Sequence, residues 1–300
     1  MRLSVVIPVY RDADRARAAA LAVMGADLPP EFRLEVILVD DGSNDGTCER
    51  LRDLEPAASV VCLGRNSGRS AARNAGVEAA SGEFVIFMDC DCLPASRRFL
   101  LDHVSILSDG HIASCGQVTG VDDGFWGRFQ ADASRARRRR GAQGAAVSGA
   151  SSNLGVRRAA FLAVGGFDPG YGHYGFEDRD LLLRLAHVGS VAWTPASIKH
   201  CDRLTLGQIA AKMAEAGQHS SRRFSSMHPD AYRALGYGAI DARLHRPLAP
   251  LARLARPMAK LCSGAFDRLG FEYWLPYALA RFYVRCVSAG AYLGGTARAT

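Results

Sequence analysis

A run of five apolar residues, Phe84–Met88, ends at two aspartates, Asp89 and Asp91, that are separated by a single residue. Continuous apolarity over so short a run is typical of a strand buried on both faces of a parallel sheet. Because side chains alternate along a strand, Asp89 and Asp91 are predicted to project to the same side at its carboxyl end. Two such oxygen donors suit Mg²⁺ or Mn²⁺, but aspartates that only start a turn or cap a following helix are an open alternative.

Strand-like and helix-like patterns alternate before this run. Strands are predicted at residues 3–8, 34–39 and 59–63, and helices at residues 12–24, 47–54 and 67–80. This order predicts βαβ units and an α/β fold with a mostly parallel sheet flanked by helices. Ligands of such sheets bind beyond the carboxyl ends of the strands, where residues 8–10, 40–41 and 89–91 all fall.

Two common nucleotide-binding motifs are absent from the sequence. No G-x-G-x-x-G follows the first predicted strand, and no G-x-x-x-x-G-K-[ST] occurs anywhere in the chain. Their absence argues against a dinucleotide-binding oxidoreductase and against a P-loop NTPase. A metal ion is therefore expected to hold any phosphate groups.

Four sequence blocks occur in order between residues 5 and 92: VVIPVY, VDDGSNDGT, NSGRSAARNAG and FVIFMDCDC. Together they resemble the nucleotide-binding half of family 2 glycosyltransferases. The resemblance implies the GT-A fold and a divalent cation, Mn²⁺ or Mg²⁺, with Asp91 as its main ligand and Asp89 on the ribose or the metal.

The resemblance also implies how the nucleotide is held. Pro8 and Tyr10 are expected to border the base, and either Asp40 or Asp41 to accept its imide N–H.

Two arginines and a glycine follow in the third block. Arg69 and Arg73 are one helical turn apart on the predicted helix 67–80, so they share a face. Their guanidinium groups suit the oxygens of a diphosphate, although ordinary solvated helix arginines are an open alternative. Gly68 permits a special turn or a close backbone approach.

A second acidic cluster follows residue 164. The pattern G-G-F-D, eight further residues and then E-D-R-D-L is similar to the acceptor-side motif of the same family. The resemblance implies that Asp178 is the general base, that Glu177 orients the acceptor or the base, and that His200 is an additional metal ligand. Because the helix dipole favours acidic residues in a first turn, a purely structural role is an open alternative for Glu177 and Asp178, and Asp180 is assigned to the helix end.

The middle of the chain is predicted with less detail. Strands are expected at residues 110–119, 148–155, 191–193 and 197–199, with the last two at a sheet edge, and helices at 157–164, 177–187 and 204–224. Residues 121–146, which include four consecutive arginines at 137–140, are interpreted as a solvated loop. A lid that meets an anionic acceptor or a diphosphate-lipid is the alternative.

Charge is distributed unevenly. Residues 1–203 carry 24 Lys and Arg against 25 Asp and Glu, whereas residues 204–300 carry 13 against 5. From residue 245 onward, arginines alternate with leucines, prolines and aromatic residues. This mixture is typical of a segment lying on anionic lipid, and a helical appendage packed on the core or on another subunit is equally open.

Three further observations bear on location. The first residues show no signal peptide, and no apolar stretch approaches the ~18 residues of a membrane span. The eight cysteines show no repeated C-x-x-C spacing, so reduced thiols are expected. A cytoplasmic protein, with peripheral attachment to the inner face of the membrane as an option, is the resulting prediction.

The sequence as a whole predicts a metal-dependent, inverting transferase that adds one sugar from a nucleotide-sugar, with a UDP-sugar favoured, to a hydroxyl acceptor. The acceptor is a glycan, a lipid-linked molecule or a small molecule, and no nucleic acid is involved. Because no Q-x-x-R-W occurs, the resemblance favours a single-addition enzyme over a polymer synthase.

The predicted domains are a catalytic domain at residues 1–203, with halves at 1–92 and 93–203, and a basic helical extension at 204–300. There are two alternatives. One is a nucleotidyltransferase acting on a sugar phosphate, and the other is a non-catalytic, membrane-associated protein that binds a nucleotide-sugar.

Overall fold

The computed structural model describes residues 1–142 and 149–297, which divide into two compact units. The first unit comprises Met1–Asp123, Gln130–Pro169 and Asp178–Asp202. The second unit comprises Gly124–Phe129, Gly170–Glu177 and the chain from Arg203 onward. The predicted division of the first 203 residues at residue 92 stays a prediction.

Within the described residues, the first unit contains an eight-stranded sheet in the order β3-β2-β1-β4-β7-β6-β8-β5. The strands are β1 (Arg2–Val9), β2 (Arg33–Asp40), β3 (Ser59–Cys62), β4 (Phe84–Met88), β5 (Cys92–Pro94), β6 (Ala113–Gly120), β7 (Asn153–Arg157) and β8 (Val191–His200). The first four strands pair in parallel, β7 is antiparallel to both of its neighbours, and β6 and β8 are parallel. This arrangement confirms the predicted α/β fold.

Helices connect and flank these strands. They are α1 (Ala13–Met24), α2 (Thr47–Arg52), α3 (Arg69–Ala79), α4 (Phe99–Ser108), α5 (Phe125–Ala142), α6 (Arg158–Ala163) and α7 (Glu177–Val188). α1 begins after Asp12, whose carboxylate accepts a hydrogen bond from the backbone N–H of Arg15 at 3.3 Å. Such a cap satisfies one of the free N–H groups at a helix start.

The central strands are buried on both faces, as the apolar run predicts. Phe84, Ile86 and Met88 belong to one apolar cluster, whereas Val85 and Phe87 belong to another. This alternation follows from the two-residue period of a strand. Because burial of apolar surface stabilises a fold by roughly 25 cal/mol per Å², both clusters stabilise this unit.

Strand boundaries differ from the predictions at three places. β4 ends at Met88, so Asp89 and Asp91 lie in a turn before β5, a three-residue strand that the sequence pattern missed. The strand predicted from residue 148 begins at Asn153, and residue 148 lies outside the described residues. The two short edge strands predicted at 191–199 are one continuous strand, β8, and it lies between β6 and β5.

The segment interpreted as a solvated loop forms a helix. Residues 125–142 make up α5, and residues 143–146 lie outside the described part. The loop prediction was wrong because alanine and arginine, which dominate this stretch, are good helix formers, and no proline interrupts it. The exposed Arg139 and Arg140 fall in the last turn, where the helix dipole favours positive charge.

The second unit is helical, which confirms the predicted C-terminal helices. Its helices are α8 (Leu206–Gln218), α9 (Ser220–Met227), α10 (Pro229–Ala234), α11 (Ala249–Leu269), α12 (Phe271–Trp274) and α13 (Tyr277–Thr296). The single helix predicted at residues 204–224 is broken at His219 (φ −114°, ψ −73°). Leu206, Phe266, Val284 and other apolar side chains form the core of this unit.

Two cysteines form a disulfide, contrary to the expectation of reduced thiols. Cys48 of α2 and Cys62 of β3 are bonded, with their Cα atoms 6.0 Å apart. A separation in this range suits a disulfide, and the pairing depends on the packing of α2 beside β3. The remaining six cysteines are free thiols. Among the described helices, none combines the length and apolar character that crossing a membrane requires.

Candidate active site

Three polar side chains meet where the first unit's strands end. β8 runs parallel to β4, because β7 is antiparallel to both β4 and β6 and β6 is parallel to β8. Asp91 and His200 therefore lie at the same edge, with His200 Nε2 at 3.3 Å from Asp91 Oδ2. The backbone N–H of Cys201 donates to the Asp91 carbonyl oxygen at 2.7 Å, which fixes this register.

Asp202 completes this group of three. One ligand atom each from Asp91, His200 and Asp202 lies within 4.8 Å of the others, close enough for a single cation. Two carboxylates and one imidazole suit Mn²⁺, and the imidazole makes the set less suited to Mg²⁺. The hydrogen bond with Asp91 raises the pKa of His200. Asp202 also forms an ion pair with the half-exposed Arg15.

Sequence reasoning missed Asp202, although a signal for it existed. Asp202 follows His200 by two residues, the same spacing that separates Asp91 from Asp89.

Asp89 lies outside the group of three and is paired with an arginine. Arg73 Nη2 is 2.5 Å from Asp89 Oδ1, and the Arg73 side chain is 1% exposed. Its guanidinium carbon also lies 5.3 Å from the centre of the Phe167 ring. Among the described residues, neither Nε nor Nη1 of Arg73 has a hydrogen-bond partner. Arg73 is thus a buried cation and not a solvated surface residue.

The predicted nucleotide-side carboxylates are buried and hold loops together. Asp41 accepts hydrogen bonds from the backbone N–H groups of Ser67 at 2.8 Å and Gly68 at 2.9 Å, just before α3. Burial raises the pKa of Asp41. Asp40 accepts a hydrogen bond from the hydroxyl of Ser43. A carboxylate has about four acceptor positions, so each retains capacity for one more donor.

Gly42, just after β2, lies very close to the backbone of the loop before α3. Gly42 has φ +68°, and a Cβ atom built there would lie 2.2 Å from the backbone carbonyl carbon of Arg65. Only glycine fits such a position without moving the neighbouring loop.

The other predicted nucleotide-side residues lie at the same strand ends. Pro8 is half-buried near the end of β1, and Tyr10 follows that strand and is 42% exposed. Arg69 is exposed at the first position of α3, so Arg69 and Arg73 differ in burial although they are one turn apart. Gly68 adopts φ +85° before that helix.

The acidic residues at the start of α7 have different surroundings. Asp180 is fully buried and pairs with Arg184, with Nη2 at 2.6 Å from Oδ2. Asp178 is partly buried, and its Oδ1 has no hydrogen-bond partner in the part of the chain that the structure describes. Burial, and to a lesser extent the charge of Asp178, raises the pKa of Cys115 on β6 to about 12. Glu177 is 5% exposed.

A strained residue precedes this acidic pair. Phe176 has φ +72°, a left-handed value that is rare for a bulky residue. Its ring lies 4.8 Å from that of Phe224 and 4.9 Å from that of Tyr237 within the second unit. Sequence reasoning missed this feature, because the conformation depends on aromatic partners that are distant in the chain.

The chain belongs to glycosyl transferase family 2, whose sequence model it matches over residues 4–164, more than half of its length. A second model, described as the N-terminal domain of galactosyltransferase, matches residues 142–203. These matches confirm the family that the four sequence blocks indicate.

Individual relatives share only part of their length with this chain. Glycosyltransferase AglE of Haloferax volcanii is 38% identical over 123 residues, which cover 40% of this chain and 37% of that protein. The undecaprenyl-phosphate 4-deoxy-4-formamido-L-arabinose transferase of Aeromonas hydrophila is 44% identical over 96 residues, covering 30% and 28%. The matched segments therefore span less than two fifths of either curated relative.

A solved structure resembles nearly the whole chain. It is the mannosyltransferase PcManGT from Pyrobaculum calidifontis in complex with GDP-Man and Mn²⁺, with a TM-score of 0.61 and 22% identity. The match covers 98% of this chain and 86% of that one. At this level of identity, the likeness supports the GT-A fold.

Proposed function

We propose that this chain is a metal-dependent, inverting glycosyltransferase that moves one sugar from a nucleotide-sugar to a hydroxyl acceptor. The observation that carries the proposal is the meeting of Asp91, His200 and Asp202 at the carboxyl edge of the sheet. The family and the GT-A fold support it, and so does the presence of GDP-Man and Mn²⁺ in the Pyrobaculum structure.

In this proposal Asp91 and His200 hold Mn²⁺ or Mg²⁺, and Asp202 is added to the predicted set. A divalent cation held there would offset the negative charge that develops on the diphosphate as it leaves the sugar. Asp89, held in place by Arg73, accepts a hydrogen bond from the ribose through its second oxygen. Arg69, at the exposed start of α3, is assigned to the diphosphate.

The nucleobase lies beside Pro8 and Tyr10 in this proposal. The exposed ring of Tyr10 offers a stacking surface, and Asp40 or Asp41 accepts the imide N–H of the base. A uracil or a thymine presents this imide, so a UDP-sugar is favoured and a thymidine donor is second. The GDP-Man in the Pyrobaculum structure makes guanine the third base to test.

Asp178 is proposed as the general base and Glu177 as the residue that orients the acceptor. An inverting transfer needs a carboxylate that takes the proton of the acceptor hydroxyl as this oxygen attacks the anomeric carbon. The Oδ1 atom of Asp178 is buried and has no hydrogen-bond partner within residues 1–142 and 149–297, so it keeps the capacity to accept that proton.

The acceptor is proposed to be a hydroxyl on a glycan, a lipid-linked molecule or a small molecule. The name of the Aeromonas relative includes undecaprenyl phosphate, a lipid phosphate, which supports the lipid-linked class. We further propose that the enzyme works at a membrane surface, where a lipid-linked acceptor would be presented.

Calorimetric titration of UDP, GDP and dTDP into the protein tests the donor site, first with Mn²⁺ and then with EDTA. We expect one nucleotide to bind in Mn²⁺ and to bind much more weakly in EDTA. Asp91→Ala should abolish the metal dependence, whereas Asp14→Ala, at an exposed aspartate of α1, should bind like the wild type. Failure of all three nucleotides to bind in both conditions would contradict the proposal.

A further inference from the structure

Four large apolar side chains form an exposed row on α11 of the second unit. Leu251, Leu254, Met258 and Leu261 are 57%, 66%, 53% and 68% exposed. Their spacings of three and four residues place them on one side of the helix, within about a quarter of its circumference at ~100° per residue. We call these four residues the α11 stripe.

The stripe faces away from the unit's own core. Ala252, Ala259 and Phe266, on another side of α11, are buried and belong to the apolar cluster of this unit. Tyr283 of α13 anchors the helix further, because its hydroxyl donates to the Cys262 carbonyl oxygen at 2.9 Å. The helix is therefore held by one face, and the stripe lies on a different face that the unit leaves exposed.

Positive charge borders the stripe. Arg253, Lys260 and Arg268 are exposed on the side of α11 next to it. Residues 249–297 contain only two acids, Asp267 and Glu272. Asp267 is already engaged, since it accepts the backbone N–H groups at the start of α8 at 2.8 and 2.9 Å.

Further large apolar and aromatic side chains are exposed on the two helices that follow α11 in the chain. Tyr273 and Trp274 of α12 are 71% and 62% exposed, and the Trp274 indole N–H donates to the Leu269 carbonyl oxygen at 3.0 Å. Leu279 and Phe282, one turn apart on α13, are 57% and 67% exposed. Tryptophan and tyrosine are enriched at the membrane–water interfaces of membrane proteins.

We infer that the α11 stripe docks on the surface of an anionic lipid bilayer, with α11 lying in the plane of the interface. Apolar side chains next to arginine and lysine are the pattern of an interfacial helix, and the basic residues match anionic headgroups in charge. A second copy of the chain is a poorer occupant, because it would bring the same positive charge against the stripe. The inference extends the location proposed above and does not require transferase activity.

Co-sedimentation with vesicles tests this inference directly. The wild-type protein should bind vesicles of phosphatidylcholine with phosphatidylglycerol far better than pure phosphatidylcholine vesicles, and salt should weaken the binding. Leu254→Glu combined with Leu261→Glu should reduce the affinity at least ~10-fold. Arg253→Glu combined with Lys260→Glu should reduce it ~10-fold or more by removing the preference for the anionic lipid.

The matched control is Leu21→Glu combined with Leu162→Glu, two leucines of the first unit that are 51% and 46% exposed. This variant should bind vesicles like the wild type, and all three variants should keep the wild-type melting temperature because the changed residues are exposed.

Equal vesicle binding by the wild type and by the Leu254→Glu, Leu261→Glu variant would overturn the inference. Failure of the wild type to bind either kind of vesicle would also overturn it. If the wild type does not bind vesicles but forms a dimer in sedimentation velocity, and the Leu254→Glu, Leu261→Glu variant is a monomer, the stripe is instead a contact between copies of the chain. Nucleotide binding without vesicle binding would refute only this inference, and vesicle binding without nucleotide binding would refute only the proposed transferase.

Discussion

Asp178 and Asp180 are two residues apart in the first turn of α7, and their surroundings suit them to different tasks. Asp180 is fully buried and forms an ion pair with Arg184, one turn later in α7, so its carboxylate stabilises the helix. Asp178 is partly buried, and its Oδ1 atom forms no hydrogen bond with any residue that the structure describes. A general base must be able to accept a proton from the substrate, which only the second arrangement allows.

We expect Asp178→Asn to lower the rate of sugar transfer by roughly 10²-fold or more, because an amide cannot act as the base. Donor affinity should stay near the wild-type value. Calorimetry measures the affinity, and a turnover assay measures the rate of transfer. Asp180→Asn is the contrasting variant. It should lower stability by about 3 kcal/mol in chemical denaturation, since it leaves Arg184 without its buried counter-charge. A collapse of donor affinity in Asp178→Asn would place Asp178 in the donor site instead.

His103 is a buried residue whose ionisation affects stability. Its ring nitrogens lie 2.6 Å from the Ser114 hydroxyl and 2.7 Å from Asn153 Oδ1, and burial lowers its pKa to about 4. In the unfolded chain a histidine has a pKa of about 6.5. Between these two values the unfolded chain binds a proton that the native protein does not bind, so the stabilising contribution is complete above pH 6.5 and is lost as the pH falls towards 4.

The free energy of unfolding should therefore fall by about 2 kcal/mol from this residue between pH 7.5 and pH 5. His103→Gln, whose amide retains hydrogen-bonding capacity, should lack this part of the pH dependence. Urea denaturation of both proteins across this range provides the measurement. Identical pH dependence in the two proteins would show that His103 does not carry the effect.

At the scale of elements, the Cys48–Cys62 disulfide joins a short helix to a short strand. α2 has six residues and β3 has four, so neither offers much packing surface of its own. The disulfide closes a loop with a sequence separation of 14 residues. Such a crosslink stabilises the native state by restricting the unfolded chain.

Reduction of this disulfide should lower the free energy of unfolding by about 3 kcal/mol, the value expected for a loop of this length. Denaturation with and without a thiol reductant measures the change, and Cys48→Ser should be insensitive to the reductant. Labelling of Cys48 and Cys62 in the native protein without reductant would show that both are free thiols.

At the scale of the whole molecule, the second unit takes segments from within the first 203 residues. Trp126 packs against Phe266 with ring centres 6.0 Å apart, and Phe176 against Phe224 at 4.8 Å, all inside that unit. The two partner residues, Phe266 and Phe224, lie beyond residue 203. A chain that stops at the predicted domain boundary therefore exposes aromatic side chains that the complete chain buries.

A protein truncated to residues 1–203 should aggregate or bind a hydrophobic dye, whereas a chain of residues 1–297 should remain monodisperse. Size-exclusion chromatography and dye fluorescence distinguish the two outcomes. A monodisperse 1–203 protein that unfolds cooperatively would support the predicted self-contained catalytic domain and contradict this expectation.

Local sequence patterns were sufficient for much of the fold. The alternation of apolar strands with helices predicted β1 to β4 and α1 to α3 within a few residues, because the period of apolar side chains differs between the two structures. Patterns were insufficient for α5, where a polar composition was interpreted as a loop, and for the break at His219. In α5 the helix propensity of alanine and arginine outweighed the polar character of the segment.

The chemistry of the candidate site divides in the same way. Residue types and short spacings were enough to nominate Asp89, Asp91 and His200, because carboxylates at a strand end and a family motif are visible in the chain itself. The grouping of Asp91 with His200 and Asp202 was decided by the antiparallel pairing of β5 with β8, which joins segments about a hundred residues apart. The pairing of Arg73 with Asp89 likewise depends on the packing of α3 against β1 and β2. Contacts of this kind depend on the register and packing of the complete fold, and no local pattern encodes them.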